Sequence, residues 1–246
     1  MVYLILSDIH ANWEALEAVV AAAQGQYQSV LCCGDVVGYG ADPNPVTEWV
    51  RQHALQTVRG NHDKFCSGRE PIFEVSFLAE QAAVWTRRQL TDANRDWLSA
   101  LPQGPLDFDG MQLLHGSVRD EDEYIGTVEE VRLVRHLLKA NLLFFGHTHN
   151  QEIYYCLRSG IRRIPGPKNR ETQLSWTVDD KASWLINPGS VGQPRDRDSR
   201  AAYALYDTSN RVLSLRRVRY DIAKAQRKIL TAGLPEKLAE RLSLGC

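Results

Sequence analysis

No stretch of this chain is long and apolar enough to cross a bilayer. The longest apolar runs, at 2–6 and 142–145, are strand-sized, far short of the roughly 20 residues a spanning helix needs. No membrane partner is expected. CxxC is also missing, and the five cysteines are an odd number in a chain large enough to dispense with bridges, so reduced structural thiols and a cytoplasmic setting are expected. The first apolar run has no basic leader and stops at Ser7-Asp8, so no signal peptide is expected. Charge of one sign is not in excess either. With 29 Lys+Arg against 30 Asp+Glu the formal net charge is −1, which gives no strong signal for nucleic acid. Internal repeats and Pro-, Gly- or Ser-rich linkers are lacking, so one domain is expected over 1–246. What remains is ordinary globular composition, 43% hydrophobic and 24% charged over 246 residues.

The first half alternates strands and helices. Strands are expected at 2–6, 29–33 and 57–59, with helices at 12–24 and 46–55 between them. Asn12 is a fair N-cap, with Trp13, Leu16, Val19 and Val20 at helical spacing. Helices follow at 74–89 and 92–100, then strands at 111–114 and 142–145. These two strands flank a helix that the Thr127–Glu130 capping box starts and that runs to about Lys139. This rhythm predicts an α/β fold with parallel crossovers. After 150 it changes to short apolar stretches at 153–157, 184–187, 203–207 and 212–218. Mixed or antiparallel pairing in a second sheet packed on the first is expected there. Helical segments at 221–231 and 235–242 close the chain.

Five of the seven histidines fall directly after predicted strands, in Asp8-Ile9-His10, Gly60-Asn61-His62-Asp63, His115-Gly116 and Gly146-His147-Thr148-His149; Gly34-Asp35 follows another. Strand carboxyl ends line the crevice where open α/β sheets bind ligands. Asp8, His10, Asp35, Asn61, His115, His147 and His149 make a nitrogen and oxygen donor set. It suits Mn, Fe, Zn, Co or Ni better than the oxygen-loving Ca or Mg. Seven donors are too many for one ordinary ion and about right for two, with Asp35 shared. Two divalent ions less two carboxylates leave a local excess of positive charge, which suits a phosphate oxyanion.

These motifs, DxH, GDxxGYG, GNHD, HG and GHTH in this order, resemble the calcineurin-like metallophosphoesterase superfamily over roughly 2–215. The segment Asn187-Pro188-Gly189-Ser190-Val191-Gly192-Gln193-Pro194-Arg195 further resembles its small bacterial phosphodiesterase or diadenosine-tetraphosphatase-like branch. The resemblance implies a metallophosphoesterase-like double β-sandwich of two mixed sheets flanked by helices, with a dinuclear centre at one rim. It implies two divalent transition-metal ions, manganese foremost. Asp8, His10, Asp35 and His149 would hold one, and Asp35, Asn61, His115 and His147 the other. Metal-bound hydroxide would attack phosphorus in line. Asn61 and His62 would contact the phosphate, and His62 would protonate the leaving oxygen, as an imidazole pKa permits near neutral pH.

One departure narrows the substrate. Where the protein-phosphatase branch carries an Asp-Arg pair, this chain has Gly38 and Tyr39, so His62 is expected to lack its usual carboxylate partner. Arg195 or Arg119 is a candidate source of the missing positive charge, and Tyr39 a candidate lip of the substrate pocket. The expected activity is hydrolysis of a phosphate-ester small molecule or nucleotide, with phosphodiesters first. Nucleotide or phosphoprotein monoesters are the alternative. A non-catalytic protein-binding scaffold of the same fold is a remote one, since His62 and the whole donor set are present. The basic segment 158–170 reads as a solvated hairpin face, or else a patch for a polyanionic substrate beside Trp176 and Trp184.

Overall fold

Alternate side chains of a strand face opposite sides of its sheet, so one strand can feed two cores. The first strand, β1 (Val2–Leu6), does so: Tyr3 and Ile5 enter one apolar layer, Leu4 and Leu6 another. The computed structural model describes residues 1–72 and 75–246. After β1 come α1 (Trp13–Ala23), β2 (Ser29–Cys32), α2 (Pro43–His53), β3 (Ala54–Thr57), α3 (Asn61–Ser67), α4 (Phe77–Gln89) and α5 (Asp92–Ala100). Next are β4 (Leu106–Phe108), β5 (Met111–Leu113), α6 (Val128–Val134), β6 (Leu142–Phe144), β7 (Gln151–Leu157) and β8 (Gly160–Pro165). The last are β9 (Gln173–Thr177), β10 (Ser183–Pro188), β11 (Ala201–Asp207), β12 (Val212–Val218), α7 (Ile222–Thr231) and α8 (Glu236–Leu244).

The strands form two mixed six-stranded sheets, ordered β3-β2-β1-β11-β12-β9 and β4-β5-β6-β10-β7-β8. Ile5, Leu31, Leu113, Phe144, Ile186 and Leu213 meet between them. The outer face of the first sheet is covered by α1, α2 and α5 through Leu16, Val46 and Leu98, and that of the second by α6 through Val131 and Val134. A fourth cluster joins α4, α7 and α8 around the Tyr39 ring. This is the expected sandwich of two mixed sheets flanked by helices, but the strands after 150 do not form the second sheet by themselves: β9, β11 and β12 join β1, β2 and β3 in the first, while β4, β5 and β6 pair with β7, β8 and β10 in the second.

Strand direction positions the chemistry. β1, β2 and β3 run parallel in the first sheet, and β5, β6 and β10 in the second. Every motif loop leaves the carboxyl end of one of these six strands, so all the loops gather at one rim.

Several expected boundaries move. α2 begins at Pro43 rather than 46, because Pro43 presets the backbone of the first turn and loses no helical hydrogen bond there. The strand expected at 57–59 runs from Ala54 to Thr57, directly off the end of α2. α4 begins at Phe77 under a Ser76 cap, and residue 74 of the expected helix lies outside the described residues. The Thr127–Glu130 capping box forms, but α6 tightens into a 3-10 turn at Arg135–Leu137 and stops short of Lys139. α3, β4, β8 and β9 are not among the expected elements. α3 is one short helix opened by Gly60 and Asp63, and β8 is an exposed edge strand without an apolar face to mark it.

Candidate metal centre

Left-handed backbone is uncommon for residues with a side chain, and here it concentrates at the rim. Asp8, His10, Ala11, Asp35, Tyr39, His147 and His149 all have φ between 48° and 66°. Strain of this kind is tolerated only where neighbours over-determine it, and it collects at functional sites. The restraints are visible. Ser7 Oγ donates to Asp8 Oδ2 at 2.7 Å, and His147 N donates to Asp8 Oδ1 at 3.1 Å. His62 N donates to Asp35 Oδ1 at 2.8 Å. A Cβ at Gly60 would stand far inside van der Waals contact with that same Asp35 oxygen, so the approach requires glycine.

Asp8, His10, Asp35 and His149 converge in one buried donor cluster, and Asp35, His115 and His147 in a second. Asp35 Oδ2 is common ground, 3.5 Å from His10 Nε2 and 3.4 Å from His115 Nε2. Asp8 Oδ1 lies 3.4 Å from His149 Nε2. Asn61 Oδ1 lies 3.2 Å from His115 Nε2, at the edge of the second cluster. All seven donors expected from the sequence are thus brought together.

The imidazoles are set by their outer nitrogens. Nδ1 of His10, His115 and His149 donates to the carbonyls of Val37, Cys33 and Gln193, at 3.0, 2.8 and 2.6 Å. In His147 the roles reverse: Nε2 donates to the Asp122 carbonyl at 3.1 Å, leaving Nδ1 without a hydrogen bond among the described residues. A carbonyl only accepts, so each contact fixes a proton on the outer nitrogen and turns the other nitrogen inward, where it carries a lone pair whenever the ring is neutral. Nε2 of His10 and Nε2 of His149 then face one another at 3.1 Å. Two lone pairs that close repel unless a cation lies between them. The donor set therefore fits divalent metal.

The local field makes the same demand. Burial lowers His10 and His149 well below the usual histidine range. His147 falls to about 3 by burial and the His115 charge. Burial also acts to lower His115, but the Asp35 carboxylate and its hydrogen bond outweigh it and hold His115 at about 10. Asp8 is pushed up to about 6, chiefly by burial. Buried carboxylates here draw positive charge to themselves.

A cavity of about 780 Å³ opens over the clusters, lined in part by Asp35, Asn61, His62, His147 and His149. Tyr39 forms one wall, its ring centroid 4.4 Å from that of His62 and 4.7 Å from that of His10. Arg195 also lines it, with its guanidinium 5.6 Å from the Tyr39 ring centroid. Arg119 does not. It is exposed beside Glu123, four residues on along the same loop, and that local pairing keeps it out of the cavity. His62 Nδ1 is buried with no hydrogen-bond partner among the described residues. A Cβ at Gly38 would stand 2.5 Å from that nitrogen, so bare backbone occupies the place expected to lack a carboxylate.

The basic segment 158–170 lies elsewhere. Arg163 pairs with Glu152 and Arg162 lies over Tyr155, both on β7, and none of the segment lines this cavity. Trp184 is buried against Tyr155, Trp176 is half-buried on the core between the sheets, and neither lines this cavity.

Several residues that order the rim were not singled out from the sequence. Asp63 accepts from Val36 N, Val37 N and Gly60 N at 2.9, 3.2 and 2.9 Å, tying the Asp35 loop to the Asn61 loop. Asn187 Nδ2 donates to the Gly146 carbonyl at 2.9 Å, and Ser190 Oγ to the Asp8 carbonyl at 2.7 Å. Tyr124 stacks on His147 with centroids 4.0 Å apart and also lines the cavity. Asp63, Asn187 and Ser190 sit inside segments that stood out as motifs, and that placement was the available signal.

Comparison with known proteins agrees with this arrangement. An uncharacterised protein of Methanocaldococcus jannaschii is 33% identical over 249 residues, covering 98% of this chain and 97% of its own. The crystal structure of a metallophosphoesterase from Sphaerobacter thermophilus is 36% identical with a TM-score of 0.88, covering 100% of this chain and 99% of that one. A hypothetical protein from Pyrococcus horikoshii shares the fold at 19% identity and a TM-score of 0.78, over 100% of this chain and 98% of its own. The family model for the calcineurin-like phosphoesterase superfamily domain matches residues 1–211. With that match spanning every motif loop at the rim, this chain belongs to the calcineurin-like phosphoesterase superfamily.

Proposed function

We propose that the chain, acting over 1–246 as one domain, is a phosphoesterase that depends on two divalent transition-metal ions and hydrolyses phosphodiesters first. Asp8, His10, Asp35 and His149 would hold one ion, and Asp35, Asn61, His115 and His147 the other. The observation that carries this reading is the single oxygen Asp35 Oδ2, set between Nε2 of His10 and Nε2 of His115 on the floor of a substrate-sized cavity. Such ions supply Lewis acidity toward phosphoryl oxygens and a way to ionise water near neutral pH, with manganese the first choice. A cytoplasmic setting accords with the free cysteines at 32, 33, 66, 156 and 246.

The chain's own groups do the rest. Asn61 and His62 meet the phosphate from the N-terminus of α3. Burial foremost, with the Arg195 and His115 charges, lowers His62 to about 4, so its ring is neutral in the free protein. An anionic phosphate beside it favours the protonated form, which donates to the leaving oxygen. Arg195 adds positive charge to one side of the cavity, and the Tyr39 wall keeps water from that side. Diesters come first because Gly38-Tyr39 puts no arginine where the protein-phosphatase branch has one for phosphate, and a diester carries one negative charge rather than two.

The test is hydrolysis of bis-p-nitrophenyl phosphate beside p-nitrophenyl phosphate by chelator-stripped protein, with and without Mn²⁺. Metal-dependent turnover favouring the diester is expected. Altering groups that merely orient metal ligands costs about 10–100-fold. Asp35→Asn, which removes a shared charge, should therefore cost at least about 100-fold while the circular dichroism stays native. Normal turnover in that variant would sink the dinuclear reading. Preference for the monoester would replace the diester reading, and silence on both would leave a choice between a more selective enzyme and the non-catalytic scaffold.

A further inference from the structure

The cavity is larger than the reaction needs. At about 780 Å³ it falls within the roughly 300–1,000 Å³ of whole-ligand pockets, whereas a phosphate group fills only a small part of that. Beyond the Asp/His floor its surface is not uniform. Phe65, Val75 and Ala79 give an apolar stretch, and two arginines, Arg195 and Arg241, line the same space.

Arg195 is held in place. Its Nη2 donates to Gln193 Oε1 at 3.0 Å and its plane lies over Tyr39, while its Nε is buried with no hydrogen-bond partner among the described residues. Arg241 comes from α8, outside the residues that the family model matches. On that helix Leu238, Ala239 and Leu242 pack into the cluster that contains Tyr39, which fixes α8 against the wall that Arg195 covers. The acidic groups of the cavity edge do not answer these charges. Glu70 and Asp122 are both taken by Lys64 Nζ, at 3.1 and 2.7 Å. One wall is therefore cationic and faces space enough for a second group. A planar guanidinium fork matches phosphate and carboxylate oxygens in pairs.

We infer that Arg195 and Arg241 form a second anion-binding position, so the substrate is an organic phosphate carrying a further anionic group, phosphate or carboxylate, some way along the molecule from the bond that is cleaved. This deepens the phosphoesterase reading and rests on it. The apolar stretch would take the organic part between the two anions. Arg241 is then a specificity residue supplied by the C-terminal helix pair.

The experiment compares a dinucleoside monophosphate with the same compound bearing a terminal 5′-phosphate, using Mn²⁺-loaded protein. The terminal phosphate should raise kcat/KM about tenfold, mostly through KM, as one charge-assisted contact supplies. Arg241→Gln should bring that ratio close to one, and Arg241→Lys should restore part of it. An equal loss on both compounds, with the ratio kept, would mean that Arg241 only supports the fold and would overturn the inference. A wild-type ratio of one would overturn it as well. If neither compound is cleaved, the phosphodiester reading fails separately. The second position is then judged by the Kd ratio of the same two compounds in calorimetry, again expected near ten in the wild type and near one in Arg241→Gln.

Discussion

His62 stands at the centre of the residue-scale chemistry. One ring nitrogen is pressed against Gly38 with nothing to bond to among the described residues, and the ring is gripped between Tyr39 and His10. Packing therefore orients this imidazole, where a carboxylate would do so in the protein-phosphatase branch. Removing it leaves all seven donors in place. For His62→Ala we expect bound Mn²⁺ to be unchanged by metal analysis and kcat to fall about 10²–10⁴-fold, the usual worth of a positioned proton donor. The loss should be greatest for esters with poor leaving groups, which need the proton most. An unchanged rate on an alkyl diester would remove His62 as the acid. The seven donors and His62 were legible in the sequence because each follows a strand end within a short, ordered motif. Arg195 and Arg119 were not separable there: both are arginines a few residues from a motif, and only the fold shows that Glu123 claims one while Tyr39 supports the other.

At the scale of elements, the site depends on how six strand-end loops are tied to one another. Asp63 is the main tie between two of them. Its two oxygens accept three backbone N–H groups, from Val36, Val37 and Gly60, all buried. A buried donor left without a partner costs about 1–3 kcal/mol. Asp63→Ala should therefore destabilise the protein by about 3 kcal/mol or more in urea unfolding, and should weaken Mn²⁺ binding because the Asp35 and Asn61 loops loosen together. Asp63→Asn keeps one accepting oxygen and should lose less. Equal stability of wild type and Asp63→Ala would show that these contacts do not hold the loops. The GNHD motif put Asp63 in view, yet its partners are backbone groups 26 and 27 residues away, which no spacing rule reveals. The same limit hid β8 and α3. An edge strand in which only Ile161 and Ile164 are half-buried has no apolar alternation, and a seven-residue helix shows too little periodicity. Buried β1, β2 and β6 were plain because both their faces are covered, so their apolar runs are continuous.

Over the whole molecule, charge is nearly balanced while the rim concentrates two buried carboxylates and four imidazoles. The two sheets supply different halves of this site, Asp8, His10, Asp35 and Asn61 from the first, His115, His147 and His149 from the second. The long-range order that joins them, with β11 between β1 and β12 and β10 between β6 and β7, could not be read from local patterns. Cations bound at the rim would therefore clasp the sheets together and stabilise only the folded chain. By mass action each ion at 100 times its Kd adds about 2.7 kcal/mol. For a chain of this size that is roughly 5–10 °C in Tm per ion. Thermal melts of chelator-stripped protein should thus rise by about 10–20 °C as Mn²⁺ is added. In Asp35→Asn most of that rise should vanish, because one carboxylate oxygen serves both clusters, whereas a single-ion site lacking Asp35 would keep it. His147→Ala, which touches only the second cluster, should retain about half. A melt indifferent to Mn²⁺, or an Asp35→Asn melt that responds as the wild type does, would break the link between the shared oxygen and a paired centre.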